Sequence, residues 1–241
     1  MFHATDLPSP KHTRDLEEYL QNWASAESVP MRLDASTWYL FSNVAASSIA
    51  RMSPEARIVV HLRDPVDLLV SLHNHHLFLE LEPEPDFETA VFAQRLHDTE
   101  EFRRSIDYLD VVRLAGQLQR YYEHFPKEMI TFVDFTTIAR DPEEAYFKLL
   151  DDLGLSRIPL PEYAHRNPGR RQRLHGVNQR FKGRKSVVGR GVGKVVRKLN
   201  TSVGSPPVDQ GVRRRILEAI TPDIDELAEL LSRDLSDWKS V

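Results

Sequence analysis

The chain has 241 residues, of which 41% are hydrophobic and 28% are charged, and its formal net charge at pH 7 is −4. This length suits one domain with a sizeable core, and the absence of cysteine excludes disulfides and Cys-ligated metal sites. The first residues lack the pattern of a signal peptide, and no apolar run reaches membrane-spanning length. We therefore expect a single cytoplasmic domain over residues 1–241, without a transmembrane segment.

The charge is distributed unevenly along the chain. Residues 166–198 contain twelve Lys and Arg and no acidic residue, which leaves 20 basic and 36 acidic residues elsewhere. A basic block on an acidic body favours an anionic partner, such as a nucleotide, an acidic glycan, a phospholipid headgroup or a nucleic acid. We predict that residues 166–204 form a basic, flexible segment.

The first quarter of the chain combines helical patterns with one short apolar stretch. Apolar residues at helical spacing predict a helix over residues 14–24, and a short strand is predicted over 29–33. A turn at 34–37 follows. A second helix is predicted over about 42–52, because Ser53-Pro54 ends it.

The next stretch places a strand directly before a helix. The apolar run 56–62 predicts a buried strand with Arg63 at its carboxyl end. Asp64 is a favourable N-cap, and Pro65 suits the first helical position. Backbone N–H groups and the helix dipole make such a helix start an anion site. Ser71 lies two turns further on the same side, so Arg63 and Ser71 are expected to converge on one phosphate. The alternative is an Arg63 paired with a nearby aspartate and a Ser71 facing solvent.

The rest of the chain continues the alternation. A strand is predicted over 129–133, and a loop over 159–170 precedes the basic segment. The predicted helices are 87–104, 111–125, 141–154, 212–220 and a last one restarted by Pro222. Strands alternating with helices predict an α/β fold in which helices flank a parallel sheet.

Residues 57–71, RIVVHLRDPVDLLVS, resemble the 3′-phosphate-binding segment of sulfotransferases that use 3′-phosphoadenosine 5′-phosphosulfate (PAPS). The similarity is to bacterial members and to heparan-sulfate sulfotransferase domains. It extends over nearly the whole chain, through 34–39 (DASTWY), 121–142, 165–168 (HRNP) and the closing stretch 222–238. The resemblance implies a P-loop-type α/β fold and sulfuryl transfer from PAPS to a hydroxyl or amine. It also implies a glycan, lipid or small-molecule acceptor, with no nucleic acid partner and no metal.

The resemblance also assigns the site. In the family a strand-end Arg and a helix Ser grip the 3′-phosphate, which are the roles it implies for Arg63 and Ser71. Arg170, Arg171 and Arg173 follow an Asn-Pro turn and are expected to close over the nucleotide, to bind an anionic acceptor, or to form a solvated basic face. The catalytic group is not identified by the sequence. Asp34 is a candidate acid or base, and its alternative role is to accept hydrogen bonds within its own loop.

The N-terminal phosphosulfate-binding unit of the family has no counterpart in this sequence. Family members begin with a strand, a Gly-x-x-Lys-x-Gly-Thr phosphosulfate loop and a Lys-Glu-Pro turn, and the sequence contains neither motif. Either the given chain starts late, or it is a degenerate member lacking half of the nucleotide site. Residues 189–194 do not replace the loop, because Val195 follows the lysine where a Walker motif needs Ser or Thr.

Two other functions stay open at this stage. The first is a non-catalytic protein that binds a nucleotide or another anion through residues 166–198. The second is a relative of nucleotide kinases, which the absent Gly-Lys-Ser/Thr motif disfavours. His73, His75 and His76 do not predict a metal site, because no further ligands with recognisable spacing accompany them. Trp38 and Tyr39 are expected to pack, or alternatively to stack on a sugar or adenine.

Overall fold

Two parallel strands lie at the centre of the fold. The computed structural model describes residues 2–7, 13, 15–24, 29, 31–94, 103, 106–160, 170–172, 201–203 and 207–241. Strand β1 (Ile58–Leu62) pairs in parallel with β2 (Ile130–Asp134), and Leu62 lies opposite Asp134. Both strands therefore end at the same edge of the sheet, where Arg63 and Phe135 follow them. The predicted α/β class and the parallel sheet are confirmed.

Helices form most of the rest of the described chain. They are, in chain order, α1 (Leu16–Gln21), α2 (Ala45–Met52), α3 (Pro65–Leu79), α4 (Phe87–Phe92), α5 (Tyr108–Val112), α6 (Leu114–Tyr122), α7 (Phe135–Arg140), α8 (Pro142–Asp152) and α9 (Gln210–Leu231). Aspartate side chains accept N–H groups at the starts of α1, α3, α4, α8 and α9. Within the described ranges, no helix is both long and apolar enough to cross a membrane.

The main core joins the sheet to α3, α6 and α9. Val60 and Leu62 of β1 are buried, whereas His61 between them is exposed, so β1 is covered on one face and not on both as the apolar run predicted. Alternate residues of a strand point to opposite faces, which explains this pattern. The apolar stripe of α9 packs into the same core through Ile216, Leu217, Ile220, Ile224 and Leu227.

The predicted break at Pro222 is wrong, because α9 runs continuously through it. A proline removes one backbone donor and costs helix stability, but buried apolar residues on both sides of it pack on one core. Ile220 and Ile224 flank Pro222 and are almost fully buried, while Pro222 itself is exposed. Tertiary packing of this stripe therefore keeps the helix intact.

The strand predicted over 29–33 is also wrong. Residues 29 and 31–33 have no strand conformation, and Leu33 is 77% exposed. An apolar stretch becomes a strand only when a neighbouring strand satisfies its backbone groups, and none pairs with these residues in the described part of the chain.

A short hairpin-like pair lies in the predicted loop and basic segment. Strand β3 (Arg170–Gln172) pairs antiparallel with β4 (Thr201–Val203), and Arg170 lies opposite Val203. The expectation of a loop at residue 170 is thus wrong, whereas the flexibility of the segment 166–204 stays a prediction. Each strand has only three residues and no alternating pattern, so the sequence carried no signal for the pairing. The remaining residues of 166–200, including 189–194, lie outside the described residues.

Candidate anion-binding site

The junction between β1 and α3 forms as its sequence predicts. The Asp64 side chain caps α3 by accepting the Asp67 N–H at 2.9 Å, and Pro65 occupies the first helical position. Helix α3 continues for 15 residues, so the positive end of its dipole meets the carboxyl end of β1. This arrangement favours an anion at the junction.

The Arg63 guanidinium lies at this junction without an acidic partner among the described residues. Its carbon Cζ sits 4.4 Å from the centroid of the Phe135 ring, which follows the adjacent strand end. Its Nε is buried and donates no hydrogen bond within the described part of the chain. A guanidinium has five N–H donors, so Arg63 retains the capacity to bind an anion bidentately.

The carboxylate next to Arg63 has a different partner. Arg213, in the first turn of α9, donates to Asp64 through both terminal nitrogens, at 2.7 Å and 3.4 Å. The two side chains are only 18% and 19% exposed. The alternative in which Arg63 pairs with Asp64 or Asp67 is therefore not what the structure contains.

Ser71 lies in the second turn of α3, on the side of the helix that carries Asp64, and it is half-buried. The helix rises about 1.5 Å per residue, which places the Ser71 backbone about 9 Å along the axis from Pro65. The hydroxyl makes no hydrogen bond with other described residues and no bond to Arg63. Convergence of Arg63 and Ser71 on one phosphate stays a prediction.

Strand β3 carries Arg170 and Arg171, and its backbone packs against α3. The two arginines thus lie on a backbone segment beside the helix of Ser71. Their proposed contact with a nucleotide or an acidic acceptor stays a prediction. Arg173 and the HRNP stretch at 165–168 lie outside the described residues.

A cavity of about 370 Å³ opens next to the junction, at the carboxyl end of β2. Asp134, Arg233, Asp234, Leu235, Asp237 and Trp238 line it. Arg233 donates to Asp134 at 3.2 Å, and Asp134 pairs in register with Leu62, the residue before Arg63. Arg63 and Ser71 are not among the lining residues, so the cavity is a neighbour of the junction rather than the predicted pocket itself.

Asp34 is the acceptor of several hydroxyl groups. Its carboxyl oxygens accept from Ser36 Oγ at 2.8 Å, from Tyr39 Oη at 2.8 Å and from Tyr19 Oη at 3.1 Å. Burial, together with the Asp34 charge, raises the pKa of both tyrosines above the ordinary value. These bonds match the loop-organising alternative for Asp34, while its role as acid or base stays a prediction.

Three buried polar side chains, one of them on α3, form a hydrogen-bond network that the sequence did not predict. His76, Glu82 and Tyr108 are each at most 2% exposed. The Tyr108 hydroxyl donates to Glu82 Oε2 at 2.9 Å and lies 3.5 Å from His76 Nδ1. No local motif marks this network, because Tyr108 lies 26 residues from Glu82.

The histidines of α3 have separate environments. His73 Nε2 is 2.9 Å from the Glu84 carbonyl oxygen, whereas His75 is exposed. The His75 side chain is nevertheless partly desolvated by its neighbours, and this, followed by the nearby Arg103 charge, lowers the pKa of His75. In the described ranges no three His, Cys, Asp or Glu side chains are grouped as a metal site requires. Trp38 stacks on His76 and Tyr39 is buried, so both aromatics pack as expected.

Comparison with known proteins assigns the family. The sequence model described as "Sulfotransferase domain" matches residues 11–165, more than half of the chain. Heparan sulfate glucosamine 3-O-sulfotransferase 3B1 from mouse and from human is 29% identical over 133 residues, which are 54% of this chain and 32% of each relative. The chain thus spans about a third of the length of these curated relatives.

A solved structure extends the similarity to the fold. The sulfotransferase from Alicyclobacillus acidocaldarius superposes with a TM-score of 0.71 at 21% sequence identity, and the alignment covers 99% of this chain and 85% of that one. The match between folds includes the described β1–α3 junction and the C-terminal helix that contacts it. By sequence and by fold, this chain belongs to the sulfotransferase family.

Proposed function

We propose that the chain binds PAPS at the β1–α3 junction and transfers its sulfuryl group to a hydroxyl or amine. In this proposal the Arg63 guanidinium and the Ser71 hydroxyl hold the 3′-phosphate of the nucleotide. The observation that carries it is an Arg63 without an acidic partner in the described part of the chain, next to the start of a 15-residue helix.

The charges at the junction suit a phosphate. Asp64 is already bound by Arg213, and no carboxylate among the described residues forms an ion pair with Arg63, so its positive charge is available to a ligand. Each hydrogen bond to the charged phosphate is worth roughly 1.5–3 kcal/mol, and Arg63 can give two such bonds together with its own charge, whereas Ser71 gives one. Arg63 therefore supplies most of the affinity, and Ser71 adds orientation.

The reaction is an in-line transfer at sulfur. The acceptor oxygen or nitrogen forms a bond to sulfur while the bond from sulfur to the 5′-phosphate oxygen breaks. The acceptor loses a proton, and adenosine 3′,5′-diphosphate leaves with the bonding electron pair. Positioning of donor and acceptor and stabilisation of charge supply most of the rate enhancement in such transfers. Asp34 is the candidate for the group that takes the proton.

The acceptor class is proposed from chemistry and from the relatives. The names of the two relatives specify a glucosamine of heparan sulfate as their acceptor. For this chain we propose a hydroxyl- or amine-bearing glycan, lipid or small molecule.

Calorimetric titration with adenosine 3′,5′-diphosphate tests the binding step. Arg63→Ala is expected to raise the Kd at least tenfold, about 1.4 kcal/mol. Ser71→Ala is expected to raise it about tenfold, as the loss of one hydrogen bond to a charged group requires. The matched control is Arg57→Ala, because Arg57 precedes the other end of β1 and donates to the Glu128 carbonyl. It should leave the Kd unchanged.

Two further measurements separate the alternatives. Adenosine 5′-phosphate lacks the 3′-phosphate, so Arg63→Ala should have little effect on its Kd. Equal Kd values for wild type and Arg63→Ala with the 3′,5′-diphosphate would refute the site. Binding of the nucleotide without transfer of labelled sulfuryl from PAPS to any acceptor in a panel of glycans, sterols and phenols would favour the non-catalytic alternative.

A further inference from the structure

Arg213 connects the C-terminal helix to the start of α3. It lies in the first turn of α9 and is 149 residues away from Asp64 in the chain. Its two terminal nitrogens contact the two Asp64 carboxyl oxygens, and its Nε donates to the Ser240 carbonyl oxygen at 2.8 Å. Every nitrogen of this guanidinium therefore has an acceptor, which fixes its position.

The Asp64 carboxylate is the acidic group nearest to Arg63 in the sequence. Its Oδ1 accepts the Asp67 N–H and the longer bond from Arg213, and its Oδ2 accepts the shorter bond from Arg213. Without Arg213 this half-buried carboxylate would lack a cation. A partly buried carboxylate gains most from the nearest available cation, and Arg63 is the adjacent residue.

We propose that Arg213 is a positioning residue, which occupies the Asp64 carboxylate and thereby keeps the Arg63 guanidinium available for an anionic ligand. The proposal rests on the proposed function, because the ligand is the 3′-phosphate of the nucleotide. Loss of Arg213 has two consequences at the junction. Asp64 competes with the phosphate for Arg63, and its uncompensated negative charge repels the phosphate.

Four variants test this with adenosine 3′,5′-diphosphate as the probe. Arg213→Met is expected to raise the Kd about tenfold, since one uncompensated charge is left beside the ligand. Asp64→Asn in the Arg213→Met background should return the Kd to within about threefold of wild type, because asparagine keeps the N-cap and removes the charge. Asp64→Asn alone keeps both arginines and removes the negative charge, so it should bind at least as tightly as wild type. Arg214→Met is the matched control, since Arg214 is an exposed neighbour on α9.

Rescue by Asp64→Asn distinguishes positioning from a structural role. If Arg213 only held α9 in place, Arg213→Met would lower the Tm and weaken binding, and Asp64→Asn would restore neither. Arg213→Met with wild-type affinity, or a double variant as weak as Arg213→Met, would overturn the proposal. A wild-type protein that does not bind the probe would instead refute the proposed function.

A measurement without ligand tests the positioning role of Arg213 even if the wild-type protein does not bind the probe. The ¹⁵Nε–¹Hε resonance of Arg63, assigned by its loss in Arg63→Ala, reports whether Asp64 engages this side chain. We expect it to shift in Arg213→Met and to return to its wild-type position in Arg213→Met/Asp64→Asn. An unchanged resonance in Arg213→Met would show that Arg213 does not keep Asp64 away from Arg63.

Discussion

Replacing Tyr108 by phenylalanine tests the buried network under α3. The change removes one hydroxyl and creates no cavity. Tyr108 is 1% exposed and Glu82 is 2% exposed, so no bulk water replaces the lost donor at Glu82 Oε2. Leaving a buried acceptor without its donor costs about 1–3 kcal/mol. For a chain of this size each kcal/mol lowers the Tm by about 2–4 °C.

Urea denaturation followed by circular dichroism, together with calorimetric Tm values, measures this cost. Tyr146→Phe is the control, because the half-buried Tyr146 hydroxyl makes no hydrogen bond with the described residues. In the Glu82→Met background the Glu82 acceptor is already absent, so Tyr108→Phe should then cost less than it does in the wild-type background. The Kd for adenosine 3′,5′-diphosphate should stay within about twofold of wild type.

Two outcomes would refute this reasoning. One is a Tyr108→Phe variant as stable as Tyr146→Phe, which would mean that the Tyr108 hydroxyl carries no net stabilisation. The other is an equal cost of Tyr108→Phe in both Glu82 backgrounds, because the two side chains would then not be coupled. A weakened nucleotide affinity in Tyr108→Phe would show that the network also shapes the anion site.

Two more predictions follow from single contacts. Phe135→Leu removes the ring 4.4 Å from the Arg63 guanidinium and should raise the Kd for adenosine 3′,5′-diphosphate about two- to fivefold, the size of an exposed cation–π contact. Phe147→Leu is its titration control, and equal Kd values for both variants would contradict the prediction. Burial raises the pKa of Asp223, which also accepts the Ala115 N–H. The folded protein therefore holds this proton more tightly than the unfolded chain, so the stabilisation is present below about pH 4 and is lost as the pH rises through the raised pKa. The unfolding free energy of wild type relative to Asp223→Asn should thus fall between pH 3 and pH 7 in urea titrations, and parallel pH profiles would contradict this assignment.

The β1–α3 junction could be predicted because its signals are local. The Asp64 cap acts on an N–H only three residues away, and Pro65 fixes its own backbone. A short apolar run before them was enough to place the strand end at Arg63. The partner of Asp64 could not be predicted in the same way, because Arg213 comes from a helix at the other end of the chain.

The wrong predictions concern features that are decided by residues far apart in the sequence. Pro222 normally ends a helix, but buried apolar residues on both sides of it keep α9 continuous. The stretch 29–33 has strand-like composition, yet it pairs with no described strand. Strands β3 and β4 pair across about thirty residues that give no apolar pattern, so only the folded chain reveals them.

The anion site itself illustrates the same dependence on distant residues. An Arg-Asp dipeptide is electrically neutral and does not attract a phosphate by its charge alone. At the β1–α3 junction a second arginine, Arg213, binds Asp64 and leaves the group of three with one net positive charge. This charge lies where the helix dipole also favours an anion. The proposed binding of phosphate by Arg63 therefore depends on the folded sheet edge, the start of α3 and the first turn of α9 together. A sequence that keeps the Arg-Asp-Pro motif but loses the arginine of α9 should fold its junction in the same way and bind the nucleotide weakly.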